Sequence, residues 1–107
     1  MELKDELRLY EQGVINVLKT IYDPEVPVNI YDLGLIYKIT VNEDFTVNIE
    51  MTLTAPNCPV AESLPEEVRE KVSNMVGIKN ATVEIVFEPP WDKEMMSEEA
   101  KLDLGFL

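Results

Sequence analysis

One side chain stands apart by its chemistry. Cys58 is the single cysteine of a 107-residue chain that contains no histidine. It lies in the stretch Thr52-Leu53-Thr54-Ala55-Pro56-Asn57-Cys58-Pro59. A lone thiol makes no disulfide within its own chain. It has no imidazole base to turn it into a nucleophile in the manner of Cys–His enzymes. Nor can it supply the nitrogen and sulfur ligands of a structural zinc site. Chemistry at Cys58 must therefore borrow from a helix terminus, a backbone amide, a second subunit or a partner protein. A helix N-terminus favours anions and lowers a thiol pKa. Pro59 offers no N–H, which leaves Val60 and Ala61 as the nearest donors. The competing reading is an inert buried thiol, a common fate of cysteine.

Two further sets of residues could support such a thiol. Asp23, Glu25 and Asp32 belong to a loop with two prolines, Asp23-Pro24-Glu25-Val26-Pro27-Val28-Asn29-Ile30-Tyr31-Asp32-Leu33-Gly34. Carboxylates near a thiol can hold a hard metal or act as general acid–base groups. Turn formation and surface solvation explain the same residues without any ligand. Thr52, Thr54 and Asn57 lead into Cys58 and could orient it, or a ligand, by hydrogen bonding. Threonine at a strand end needs no such role, and Asn57 suits a left-handed turn. Trp91 follows Pro89 and Pro90, and either packs the tail onto the domain or marks a contact surface.

The elements that must position these groups follow from periodicity. Leu3, Leu7, Tyr10, Val14, Val17, Leu18 and Ile21 recur at helical spacing, and Pro24 stops that helix near Tyr22. Two strands come next. In the first, Leu35, Tyr37, Ile39 and Val41 share one face, with Ile36, Lys38 and Thr40 on the other. Asn42-Glu43-Asp44 makes the turn. In the second, Val47, Ile49, Met51 and Leu53 alternate with Thr46, Asn48, Glu50, Thr52 and Thr54. The short connection predicts an antiparallel hairpin. A second helix carries Leu64, Val68, Val72, Met75 and Val76 and ends at Gly77. Its start is either Pro59, with Cys58 as cap, or Ser63, with Glu66 completing a capping box around Pro65. Ala81 to Phe87 reads as a third strand with Val83, Ile85 and Phe87 on its core face. A short helix capped by Ser97 closes the chain. The order α-β-β-α-β-α predicts an α+β fold, a two-layer α/β sandwich with helices on a small mixed three-stranded sheet. The strand order is not legible.

Composition bounds the function. A single domain spanning 1–107 is expected from the length. The net charge is −12, from 21 acidic and 9 basic residues. Such a chain repels phosphate backbones and anionic membranes, so no nucleic acid and no membrane are expected as partners. No apolar run approaches the roughly 20 residues of a membrane span. The start, Met1-Glu2-Leu3-Lys4-Asp5-Glu6, lacks a signal-peptide core. With one cysteine, this points to the cytoplasm, where thiols stay reduced.

Three motifs, taken together, resemble the MIP18 family (DUF59), which includes SufT-like iron–sulfur cluster assembly proteins and PaaD-like proteins. They are DPEVPVNIYDLGLIY (Asp23 to Tyr37), TLTAPNCPV (Thr52 to Val60) and EPPWDKEMMSEEAKLDLGF (Glu88 to Phe106). Asn57 stands where the family often has glycine. The resemblance implies a compact α/β domain and a role in maturation of iron–sulfur proteins. It implies that Cys58 is the functional residue, as a thiol contact or transient metal ligand, with Asp23, Glu25 and Asp32 lining the same region. One thiolate cannot hold a conventional all-cysteine cluster. A transient cluster would be shared with another subunit, as in a homodimer, or with a partner among the assembly machinery and client apoproteins. The alternatives are a PaaD-like accessory protein of a multicomponent oxygenase, a thiol-dependent enzyme with Cys58 as nucleophile, and a pure interaction module. A non-catalytic assembly or adaptor factor is the reading adopted.

Overall fold

Strand β2 (Thr46–Met51) alternates with period two and is the middle of a three-stranded sheet. It pairs antiparallel with β1 (Ile36–Val41) and parallel with β3 (Asn80–Ile85). Flanked on both sides, β2 buries Val47, Ile49 and Met51 completely against the helices. The computed structural model describes residues 2–22, 28–53 and 63–105. Helix α1 (Leu3–Leu18) packs on β1, and α2 (Ser63–Ser73) packs on β3. A 3-10 turn at Lys93–Met95 and helix α3 (Glu98–Asp103) complete the order α-β-β-α-β-α. The expected α+β sandwich with a mixed sheet is the observed one. No described helix is long and apolar enough to cross a membrane.

The hairpin closes on a three-residue loop. Asn42 N–H donates to the Thr46 carbonyl at 2.8 Å, and Phe45 takes the left-handed position with φ 63°. Asp44 Oδ1 accepts from both the amide and the hydroxyl of Thr46. Alternation in β1 is broken by a bulge between Ile36 and Lys38. Ile36 therefore lies opposite Met51, and Ile39 opposite Ile49, on the core face. Tyr37, expected on that face with Leu35, is the extra residue of the bulge. One inserted residue reverses the parity of Ile36 relative to Ile39, while Leu35, just before the strand, is buried as expected.

Two apolar positions, Val76 and Phe87, depart from expectation because their elements end early, and a third, Leu3, because it opens α1 away from the core. Helix α2 stops at Ser73, so Val76 falls in the following turn and is 95% exposed. Gly77 does not cap the helix. Its φ of +90° serves the turn into β3, and a Cβ there would collide with the Tyr10 ring. Strand β3 ends at Ile85, which leaves Phe87 47% exposed. In α1 full burial is confined to the C-terminal half, at Val14 and Leu18, and Leu3 is exposed. Pro65 sits in the first turn of α2, where a missing N–H removes no intrahelical bond. Whether the helix begins at Pro59 lies outside the described residues. Ser97 caps α3 as expected, its Oγ accepting from Ala100 N–H at 3.1 Å.

Candidate functional site

Of the residues singled out in the sequence, Asp32 and Thr52 are described. Asp23, Glu25, Thr54, Asn57 and Cys58 lie outside the described residues. The flanks of their segments are well defined. Tyr22 and Asn29 pair as an antiparallel bridge, and Ile30 N–H donates to the Ile21 carbonyl at 2.8 Å. Leu53 and Leu64, on either side of the cysteine segment, are both buried in the core.

Backbone hydrogen bonds tie these flanks together. Thr52 N–H donates to the Leu35 carbonyl at 2.8 Å, and Leu35 N–H donates to the Ile30 carbonyl at 3.2 Å. Asp32 is thus joined to the end of β2 through the turn 29–34. Within that turn Asn29 holds Asp32 twice. Its Oδ1 accepts from Asp32 N–H and its Nδ2 donates to Asp32 Oδ2, both at 2.8 Å. This is the turn chemistry expected of such residues, and it also presents one face of the carboxylate to a cleft.

The tail builds the other side of that cleft. Val86 N–H extends the β2–β3 ladder by donating to Met51. From there the chain crosses the polar face of the sheet toward β1. Tyr37 donates its hydroxyl to the Pro89 carbonyl at 2.7 Å, and Trp91 Nε1 donates to the Leu33 carbonyl at 2.8 Å. Ser97 N–H then reaches the Asp32 carbonyl. Gly34 permits this docking. Its φ is +86°, and a Cβ would lie 2.5 Å from the Met95 carbonyl oxygen. Trp91 therefore packs the tail onto the domain.

An open cleft of about 850 Å³ results, lined by Asp32, Tyr37, Lys38, Glu50, Glu88 and Met95 among others. It sits where the parallel strands β2 and β3 end, the end at which α/β sheets present their ligands. Sequence reasoning named Asp32 but not Tyr37, Glu50 or Glu88. The bulge and the crossing tail bring them together, and neither leaves a mark in the alternation. Thr52 lies at the same end and is only 1% exposed, although its parity places it on the polar face. Its Oγ1 is buried with no hydrogen-bond partner among the described residues. Among the described residues, no group of three or more acidic, cysteine or histidine side chains is placed to hold a metal ion.

Comparison with known proteins places this geometry among others. A family model described as iron–sulfur cluster assembly protein matches residues 11–85. A Porphyromonas gingivalis protein named Fe-S protein maturation auxiliary factor is 51% identical over 105 residues, covering 98% of this chain and 100% of its own length. Staphylococcus aureus SufT, also named an Fe-S protein maturation auxiliary factor, is 38% identical over 85 residues, covering 79% of this chain and 97% of its own. The crystal structure of a DUF59 domain of unknown function from Bacillus anthracis superposes with a TM-score of 0.89 at 34% identity, covering 97% of this chain and 99% of that one.

Proposed function

Because the chain belongs to the iron–sulfur cluster assembly family, we propose that it serves that process through Cys58, as a transient ligand or contact during cluster transfer. Its role is in iron–sulfur cluster assembly and the maturation of iron–sulfur proteins. What carries the reading of Cys58 is the position of the chain's one thiol. It lies on the segment between Leu53 and Ser63, a few residues beyond the buried hydroxyl of Thr52, which has no hydrogen-bond partner among the described residues.

The cluster is cargo. With one thiolate per chain, the remaining ligands come from a second copy, a partner or a small thiol. Incomplete ligation suits a factor that must release what it carries. The chain contains no imidazole base, which supports an adaptor over a thiol enzyme. Its partners are then the assembly machinery and client apoproteins of the cytoplasm. Asp23, Glu25, Asp32, Thr54 and Asn57 shape the surroundings of the thiol, and Thr52 orients the segment that bears it.

Two substitutions test this. Cys58→Ser should abolish maturation of client enzymes in cells while leaving the level of this protein unchanged. Full client activity with Cys58→Ser would sink the proposal. Thr52→Val removes the hydroxyl at nearly constant shape. Replacing a buried hydroxyl that has no partner among the described residues should leave stability equal or raise it by about 1 kcal/mol, while client maturation falls. A stable Thr52→Val protein with full activity would remove Thr52 from the site.

A further inference from the structure

The outer edge of β1 is unpaired among the described residues. Asn42 N–H bonds the Thr46 carbonyl, so the alternation of an antiparallel ladder makes Thr40–Asn48 and Lys38–Glu50 the hydrogen-bonded pairs. The N–H and C=O groups of Ile39 and Val41 therefore point away from β2. Both side chains are only half-buried, although their partners Ile49 and Val47 on the same face are fully buried. The apolar layer thus reaches the last strand without a complete cover. This strand is also a wall between two clefts. On the polar side lies the cleft with Asp32, Glu50 and Glu88. On the helix side a smaller one, of about 200 Å³, is lined by Glu11 and Ile15 of α1 together with Ile39. Ile36, Tyr37 and Lys38 line both.

We infer that the β1 edge receives an extended segment of a partner protein in which basic and apolar residues alternate. Strand addition supplies main-chain hydrogen bonds, and alternate side chains enter opposite sides of the edge. One set completes the apolar layer beside Ile39 and Val41. The other set meets, among the described residues, three carboxylates and one ammonium, that of Lys38. A net charge of −12 draws a basic segment and disfavours a second copy of the same charge. Lys38 and the bulge limit the free pairing length, as edges that avoid indiscriminate pairing do. Nothing here depends on the role of Cys58.

The probe is a short acetylated and amidated peptide alternating lysine and valine, titrated into the isotope-labelled full chain and followed by NMR. Amides of Ile39 and Val41 should shift, and their hydrogen exchange should slow. N-methylating one alternate set of peptide amides should weaken binding by roughly tenfold or more, the loss expected for main-chain hydrogen bonds. Methylating the other set should leave it unchanged. Sensitivity at the valine amides identifies antiparallel addition, and at the lysine amides parallel addition. Glu50→Gln with Glu88→Gln should weaken binding several-fold, and Cys58→Ala should not change it. The inference is overturned if Ile39 and Val41 do not respond or both methylated sets bind alike. It also fails if a glutamate–valine peptide binds as well, or if the free protein pairs with itself through this edge.

Discussion

Asp44 shows what a single side chain does for the hairpin. Its carboxylate accepts from the hydroxyl and the amide of Thr46, and these bonds hold its pKa below the ordinary 3.8. A lowered folded-state value means that the carboxylate stabilises the fold above the unfolded pKa and ceases to as pH falls through the folded one. Asp44→Asn should therefore be less stable than the parent at neutral pH. The gap should close as pH drops below 3.8, as denaturation midpoints measured across the acid range will show. Gly34 is the second such residue. Gly34→Ala combines a left-handed backbone with a collision at Met95, and we expect a loss of about 2–4 kcal/mol. The melting temperature should fall by at least about 8 °C.

At the scale of elements, the tail from Val86 to Leu104 closes the candidate site. Met96 and Ala100 bury themselves in the core, and Trp91 bonds to Leu33. Trp91→Phe keeps the ring but leaves the Leu33 carbonyl without its donor, a loss of about 1 kcal/mol. Trp91→Ala should go further and free the tail ahead of the sheet. Limited proteolysis should then cut between Glu88 and Leu104 while the β2–β3 amides stay protected from exchange. Simultaneous loss of both would show that tail and sheet unfold as one unit.

For the whole molecule, charge would oppose the sharing of a cluster through the single thiol. A cluster shared between two copies must bring together chains that each carry −12. Salt screens such repulsion beyond about 8–10 Å at moderate ionic strength, and over a shorter distance as salt rises. Anaerobic reconstitution with iron and sulfide should give a dimer whose yield rises with salt, and Cys58→Ala should remain a colourless monomer. A coloured monomer of the parent protein would show that the missing ligands come from small thiols instead of a second copy.

Local patterns were legible in the sequence because they depend on neighbours along the chain. The α1 stripe at Val14 and Leu18, the hairpin, and the Ser97 cap all follow from local spacing and residue type. The element order then restricted the fold to helices on a mixed sheet. Cys58 drew attention by its isolation, and Asp32 and Thr52 by their neighbourhood. The motifs in turn pointed to the family. Tertiary structure alone decided which residues share the cleft. The bulge at Tyr37 is one unpaired residue with no local signature, so the parity of β1 could be known only from its pairing with β2. The burial of Thr52 runs against its parity in β2, so spacing along the chain does not give it. Strand order, the free edge of β1, and the meeting of Asp32 with Glu50 and Glu88 are products of long-range packing. Such contacts are selected by the fold as a whole and leave no period in the chain.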